Sequence, residues 1–126
     1  MARLNLLEET RFEKLPVSVF ENPKEASLSV AHRIANIIKA KQQNNEKAVL
    51  GLATGATPIA VYAELVRMHK EEGLSFKNVI TFNLDEYYHM HPNAAQSYVS
   101  FMNDNLFDHI DIEKDNVNIP DGTLKL

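Results

Sequence analysis

Two short stretches of this chain carry residues able to act on an anionic ligand. The first is Thr54-Gly55-Ala56-Thr57, small residues followed by Pro58 and an amphipathic run. A loop opening into a helix presents backbone N–H groups at the positive end of the helix dipole, a seat for a phosphate or carboxylate. Two threonine hydroxyls add further donors. An ordinary strand-to-helix turn, with Gly and Thr serving only geometry, accounts for the same letters. The second stretch is Asp85-Glu86, directly after the apolar run Val79 to Leu84. Two neighbouring carboxylates suppress each other's ionisation, which brings one toward general-base strength. Solvated acids, or a cap on the next helix, are the plainer alternatives. His89 and His91 could complete a metal set with these acids, but the spacing matches no motif with defined metal geometry. The His, Pro and Asn content of Tyr88 to Gln96 also fits a lid over a ligand or a surface loop.

The elements around these stretches decide whether they meet. Ala48 to Ala53 is an apolar run of the length of a fully buried strand. Thr57 is placed to cap a helix with Pro58 at its first position, where the missing N–H has no partner to lose. Ile59, Tyr62, Ala63 and Val66 then share a helical face, and Gly73 stops the helix. Val79 to Leu84 is a second strand. Two strands joined by one helix predict a right-handed βαβ unit with parallel strands, whose ligands gather at the carboxyl ends. Both chemical stretches follow strands directly, so they share one sheet edge.

The flanks repeat the pattern. Val17 to Phe20 is a candidate strand. Asn22-Pro23-Lys24-Glu25 is a helix start with Asn as N-cap and Glu as in a capping box. That helix runs to about Gln43, with Val30, Ala31, Ile34, Ile37 and Ile38 as its apolar face and His32 in its interior, a partly exposed helix histidine rather than a ligand. Ser97 is placed to cap a helix through about Asp108, with Tyr98, Phe101, Met102 and Leu106 facing the core. Val117 to Ile119 is a third strand, and Pro120-Asp121-Gly122 a turn. The fold expected is α/β, Rossmann-like and doubly wound, with a mainly parallel, incomplete sheet.

At 126 residues the chain is one domain at most, with residues 1–15 a lead-in arm. A doubly wound sheet continues past Leu126, so the chain reads as the N-terminal portion of a larger domain. Hydrophobic content of 44% with 24% charged residues is that of a soluble globular protein. A net charge of −4 with mixed signs argues against nucleic acid or an anionic membrane as the partner. There is no cysteine, which excludes disulfides, thiolate catalysis and cysteine-ligated metals. No signal peptide or membrane-length apolar run is visible, so the cytoplasm is expected. A G-x-G-x-x-G, a P-loop ending and a G-x-S-x-G elbow are all missing, against dinucleotides, nucleoside triphosphates and a serine nucleophile.

Leu50 to Pro58 (L-G-L-A-T-G-A-T-P) and Ser75 to Tyr87 (S-F-K-N-V-I-T-F-N-L-D-E-Y) together resemble the glucosamine-6-phosphate deaminase family, the glucosamine/galactosamine-6-phosphate isomerases. The likeness continues through Gln96 to Met102, Phe107 to Ile112 and Asn118 to Leu124, in order and with matching spacing. The resemblance implies a Rossmann-like sheet and conversion of glucosamine 6-phosphate and water to fructose 6-phosphate and ammonia, with no metal or other cofactor. It implies that Thr54, Gly55, Ala56 and Thr57 bind the sugar phosphate. Asp85 would be the enolisation base moving a proton from C2 to C1, with Glu86 supporting the site, and the full-length protein would be a homo-oligomer. Two departures stand out. Ala56 occupies a position usually held by Gly or Ser, a strain if positive φ were needed there. The family's ring-opening histidine and its acidic partners lie further along, and none of His89, His91 or His109 stands in that motif. The 126 residues alone are therefore expected to be inactive. 6-Phosphogluconolactonase, which resembles the same fold, carries a basic residue where this chain has Tyr87. A non-catalytic phosphosugar-binding module would need the phosphate seat but not the carboxylate.

Overall fold

The structure is a computed structural model, and it describes residues 11–12 and 14–125. Most of the lead-in arm lies outside the described residues. The first helix, α1 (Pro23–Gln43), begins as its sequence dictates: the Asn22 side-chain oxygen accepts the Glu25 N–H at 2.9 Å. This satisfies one amide that the first helical turn leaves without a partner. The chain leaves α1 through Asn45 at a φ of 55°, a left-handed conformation that asparagine tolerates. Strand β1 (Ala48–Leu52) follows, then α2 (Ile59–Glu72), closed by Gly73 at a φ of 73°. Strand β2 (Val79–Asn83) leads to α3 (Tyr98–Asn105), two single turns of 3₁₀ helix, and β3 (Val117–Asn118).

The three strands are parallel in the order β1-β2-β3. Ala48, Leu50 and Leu52 pair with Val79, Thr81 and Asn83, and Val117 pairs with Thr81, so these side chains share one face. The core lies on that face. Ala31, Ala35 and Ile38 from α1, Tyr62, Leu65 and Met68 from α2, and Met102 with Leu106 and Phe107 at the end of α3 bury there with Ala48 and Val79. The opposite face is bare among the described residues: Val49 is 61% exposed and Phe82 50%.

Several expectations need correction. β1 is not buried on both faces, because every helix covers the same side of the sheet. Val17 to Phe20 forms no strand. Its side chains are exposed and no described strand pairs with it, and an apolar alternation makes no strand without a ladder. Helix α2 starts at Ile59, one residue later than expected, and Thr57 makes no capping hydrogen bond. Its core face is Tyr62, Leu65 and Met68, while Ile59 and Ala63 are exposed. The α1 face is narrower than its apolar letters, with Val30 and Ile37 exposed. Helix α3 ends at Asn105, and the chain tightens into the 3₁₀ turn Phe107–His109.

A second set of contacts ties the connectors at the amino ends of the strands. The Asp111 carboxylate accepts the Phe76 N–H at 2.6 Å and the Ser75 hydroxyl at 2.8 Å, and His69 lies 3.6 Å away. Partial burial works to raise the Asp111 carboxyl, but these donors and His69 outweigh it and hold the group below its ordinary range.

Candidate functional site

The carboxyl ends of β1 and β2 open on one cleft of about 640 Å³, lined by Gly51, Leu52, Ala53, Thr54, Phe82, Asn83, Leu84 and Asp85. Thr54 and Asp85 thus meet at one opening, as the parallel pairing of their strands requires. Asp85 is exposed and has no hydrogen-bond partner among the described residues. It is a free carboxylate at the mouth of the cleft. Gly55, Ala56 and Thr57 do not line the cleft; they continue from its rim toward the first turn of α2.

Those three residues are exposed, and their backbone N–H groups find no acceptor among the described residues. This is the condition under which a helix start takes an anion. Gly55 has a φ of 98°, which a side chain would strain, and no atom comes within 4 Å of where a Cβ would stand. The glycine therefore serves the turn and leaves open space above it. Ala56 is not among the residues with positive φ, so the alanine fits its position without strain.

The end of β1 is held from two sides. The Tyr62 hydroxyl, reaching up from α2, accepts the Ala53 N–H at 3.1 Å and donates to the Ala53 carbonyl. Burial pushes the Tyr62 phenol up, and the Ala53 contact offsets only part of that. From β2, the Asn83 amide nitrogen donates to the Leu52 carbonyl at 3.2 Å. The sequence marks Tyr62 only as an apolar-face residue. Its hydroxyl in the interior of a helix was the available signal, because a buried tyrosine oxygen needs a partner.

Glu86 turns away from the cleft. Its carboxylate accepts the N–H groups of Tyr98 at 2.9 Å and Val99 at 3.3 Å, at the start of α3, and that of Tyr87 at 2.8 Å. It joins Ser97, whose hydroxyl accepts the Ser100 N–H at 3.0 Å, in capping that helix. The two acidic neighbours therefore serve different places: Asp85 faces the cleft, and Glu86 holds down the next helix. Beside Glu86, the Tyr87 and Tyr98 rings lie 4.8 Å apart. The neighbouring Tyr98 side chain pushes the Tyr87 phenol up, and the charge of Asp85 and Glu86 adds to it.

The segment Tyr88 to Gln96 does not close over the cleft, and none of its residues lines it. The Met90 N–H donates to the Gly122 carbonyl at 3.2 Å, so the loop seats against the chain leaving β3. Gly122 is buried, and a Cβ there would stand 2.3 Å from the Tyr87 carbonyl oxygen and 2.8 Å from that of Met90. His89 takes a left-handed φ of 62° with its ring 3.7 Å from that of Tyr88, and the His91 ring accepts the Asn93 N–H. Among the described residues no three His, Asp or Glu side chains gather as a metal ion would require.

Comparison with known proteins adds an independent line. The family model described as glucosamine-6-phosphate isomerases/6-phosphogluconolactonase matches residues 21–124. A putative glucosamine-6-phosphate deaminase-like protein of Bacteroides thetaiotaomicron is 46% identical over 115 residues, which is 91% of this chain and 17% of that protein. Glucosamine-6-phosphate deaminase 2 of Giardia intestinalis is 48% identical over 105 residues, 83% of this chain and 38% of its own length. The solved structure of a monomeric glucosamine-6-phosphate deaminase superposes with a TM-score of 0.81 at 41% identity, covering 87% of this chain and 44% of that one. The 6-phosphogluconolactonase of Thermotoga maritima shares the fold, with a TM-score of 0.68 at 22% identity over 86% of this chain and 46% of that one. The chain thus spans less than half the length of these relatives.

Proposed function

The chain belongs to the glucosamine-6-phosphate isomerase/6-phosphogluconolactonase family, and on that premise we propose that it supplies the phosphate seat and the enolisation base of a glucosamine-6-phosphate deaminase. The observation that carries this reading is the shared cleft: Thr54 and Asp85, at the ends of adjacent parallel strands, line one opening. The substrate phosphate lies on the free amides of Gly55, Ala56 and Thr57, with the threonine hydroxyls beside them. The open-chain sugar extends from there toward Asp85. The carboxylate takes the proton from C2; the electrons of that C–H bond form the C1–C2 double bond as the C1–O π pair moves to O1, which is protonated. The proton then returns to C1 while the nitrogen lone pair closes the C2–N double bond. This moves the carbonyl oxidation level to C2, where the nitrogen is then bound as an imine. Water adds there and ammonia leaves. Anchoring the phosphate supplies positioning, and the exposed carboxylate supplies the base. Glu86 contributes by fixing the start of α3 and not by proton transfer. By the family resemblance, ring opening falls to groups outside the matched span; the relatives are roughly twice as long as this chain. The 126 residues alone should then release no ammonia at a native rate.

Asp85→Asn in the whole protein tests the reading. Turnover should fall by about 10²- to 10⁴-fold while glucosamine 6-phosphate binding changes by less than about threefold. Retained turnover would remove Asp85 as base, and a wild-type protein that binds but never turns over would be a phosphosugar-binding module. Offering 6-phosphogluconolactone alongside glucosamine 6-phosphate separates the lactonase, whose resemblance at 22% identity extends to fold alone. Homo-oligomerisation and a cytoplasmic location belong to the same proposal. Sedimentation of the whole protein as a single monomeric species, the state described for the solved deaminase, would remove the first. No helix among the described residues is long and apolar enough to cross a membrane.

A further inference from the structure

We propose that Tyr62 and Asn83 are positioning residues that set the height of the phosphate seat relative to Asp85. The inference rests on the reading of the seat and the base given above. The seat begins one residue after Ala53, and the base stands two residues after Asn83. Between them the main chain is held by side chains and not by the sheet alone. The buried Tyr62 hydroxyl makes both an accepted and a donated bond to Ala53. Asn83, 7% exposed, spends its amide nitrogen on the Leu52 carbonyl.

The cost of this arrangement argues that it is not packing alone. The Asn83 side-chain oxygen is buried and has no partner among the described residues, and the same is true of the hydroxyl of Thr81 on the same face of β2. A buried, unpartnered oxygen is unfavourable, and an apolar side chain would fill the same space without it. A phenol in a helix interior likewise needs a polar partner that phenylalanine would not. Both polar groups converge on two consecutive residues, Leu52 and Ala53, where β1 ends and the seat begins. A seat displaced along the strand would carry the sugar's C2 away from the base even with every contacting residue intact.

The test compares Tyr62→Phe with wild type and with Ile38→Val in the whole protein. Tyr62→Phe removes only the hydroxyl. Ile38→Val trims a fully buried α1 side chain remote from the cleft. Binding of inorganic phosphate, and KM and kcat for glucosamine 6-phosphate, are measured for each. Tyr62→Phe should weaken phosphate binding and raise KM by about tenfold, with a further fall in kcat, while Ile38→Val lowers thermal stability and leaves both constants within about twofold. Equal constants in Tyr62→Phe and wild type overturn the proposal. So do parallel losses in Tyr62→Phe and Ile38→Val, which would mean that stability alone is being read. Should Tyr62→Phe fail to fold, Asn83→Ser removes the other tether and must show the same rise in KM. If wild type binds neither phosphate nor the sugar phosphate, it is the functional reading that fails, and the split between variants is then sought in hydrogen exchange at Ala53, which only loss of the tether should accelerate.

Discussion

Replacing Gly122 by alanine asks the most of the geometry. A Cβ there would stand 2.3 Å from the Tyr87 carbonyl oxygen, 2.8 Å from that of Met90 and 3.1 Å from Cγ of Glu86. Carbon-to-oxygen contacts settle at roughly 3.3 Å or more, so the nearest is about 1 Å too close. The two shortest contacts are to backbone, and no side-chain rotation relieves them. The chain from Tyr87 to Met90 must withdraw, which stretches the bond from the Met90 N–H to the Gly122 carbonyl. Overpacking of this kind costs about 1–3 kcal/mol, and the weakened hydrogen bond adds about 1 kcal/mol. A loss of about 2–4 kcal/mol should lower the melting temperature of the whole protein by roughly 5–15 °C. Calorimetry of wild type and Gly122→Ala reads the shift. Activity reads where the strain goes: Glu86 and Asp85 lie on the displaced strand exit, whereas the proposed phosphate seat lies on another. The kcat should therefore fall while KM holds. A melting temperature within about 2 °C of wild type would refute the close fit of the two segments.

Two further outcomes follow from the capping and connector contacts. Glu86→Ala removes the acceptor of the Tyr98 and Val99 amides, so stability should fall by about 0.5–2 kcal/mol in thermal unfolding, with kcat reduced far less than in Asp85→Asn. The Asp111 carboxyl is held below its ordinary range in the folded chain, so its contribution is present above the unfolded value, near pH 4, and is lost as pH falls through the folded value. The stability gap between wild type and Asp111→Asn, measured by melting temperature against pH, should be present above about pH 4 and close as pH falls below it.

What could be read from the letters was what is local. Asn22, Pro23 and Glu25 set the start of α1 within one turn, and Gly73 ends α2 by a backbone conformation that only its own residue decides. The parallel pairing of β1 with β2 followed from the strand-helix-strand order, and with it the meeting of Thr54 and Asp85. The direction of Glu86 was not legible. It depends on amides twelve and thirteen residues away, and a carboxylate beside a strand end has the same letters whether it faces a ligand or a helix. The Tyr62 tether was hidden for a similar reason, since the helical periodicity that marks the core face is blind to what the ring's oxygen meets. Val17 to Phe20 misled because alternation reports only a preference, and a strand also needs a neighbour to pair with.

The one-sided layering of the sheet has a geometric consequence at β1. Both crossovers step from β1 toward β3 with the same hand, which is why their helices share a side. A strand that followed β3 and joined at the unpaired margin of β1 would reverse that progression, and its crossover helix would lie across Val49 and Phe82. The point of reversal would fall beside Gly51 and Thr54, so the shallow opening there would become a walled crevice between two sets of helices.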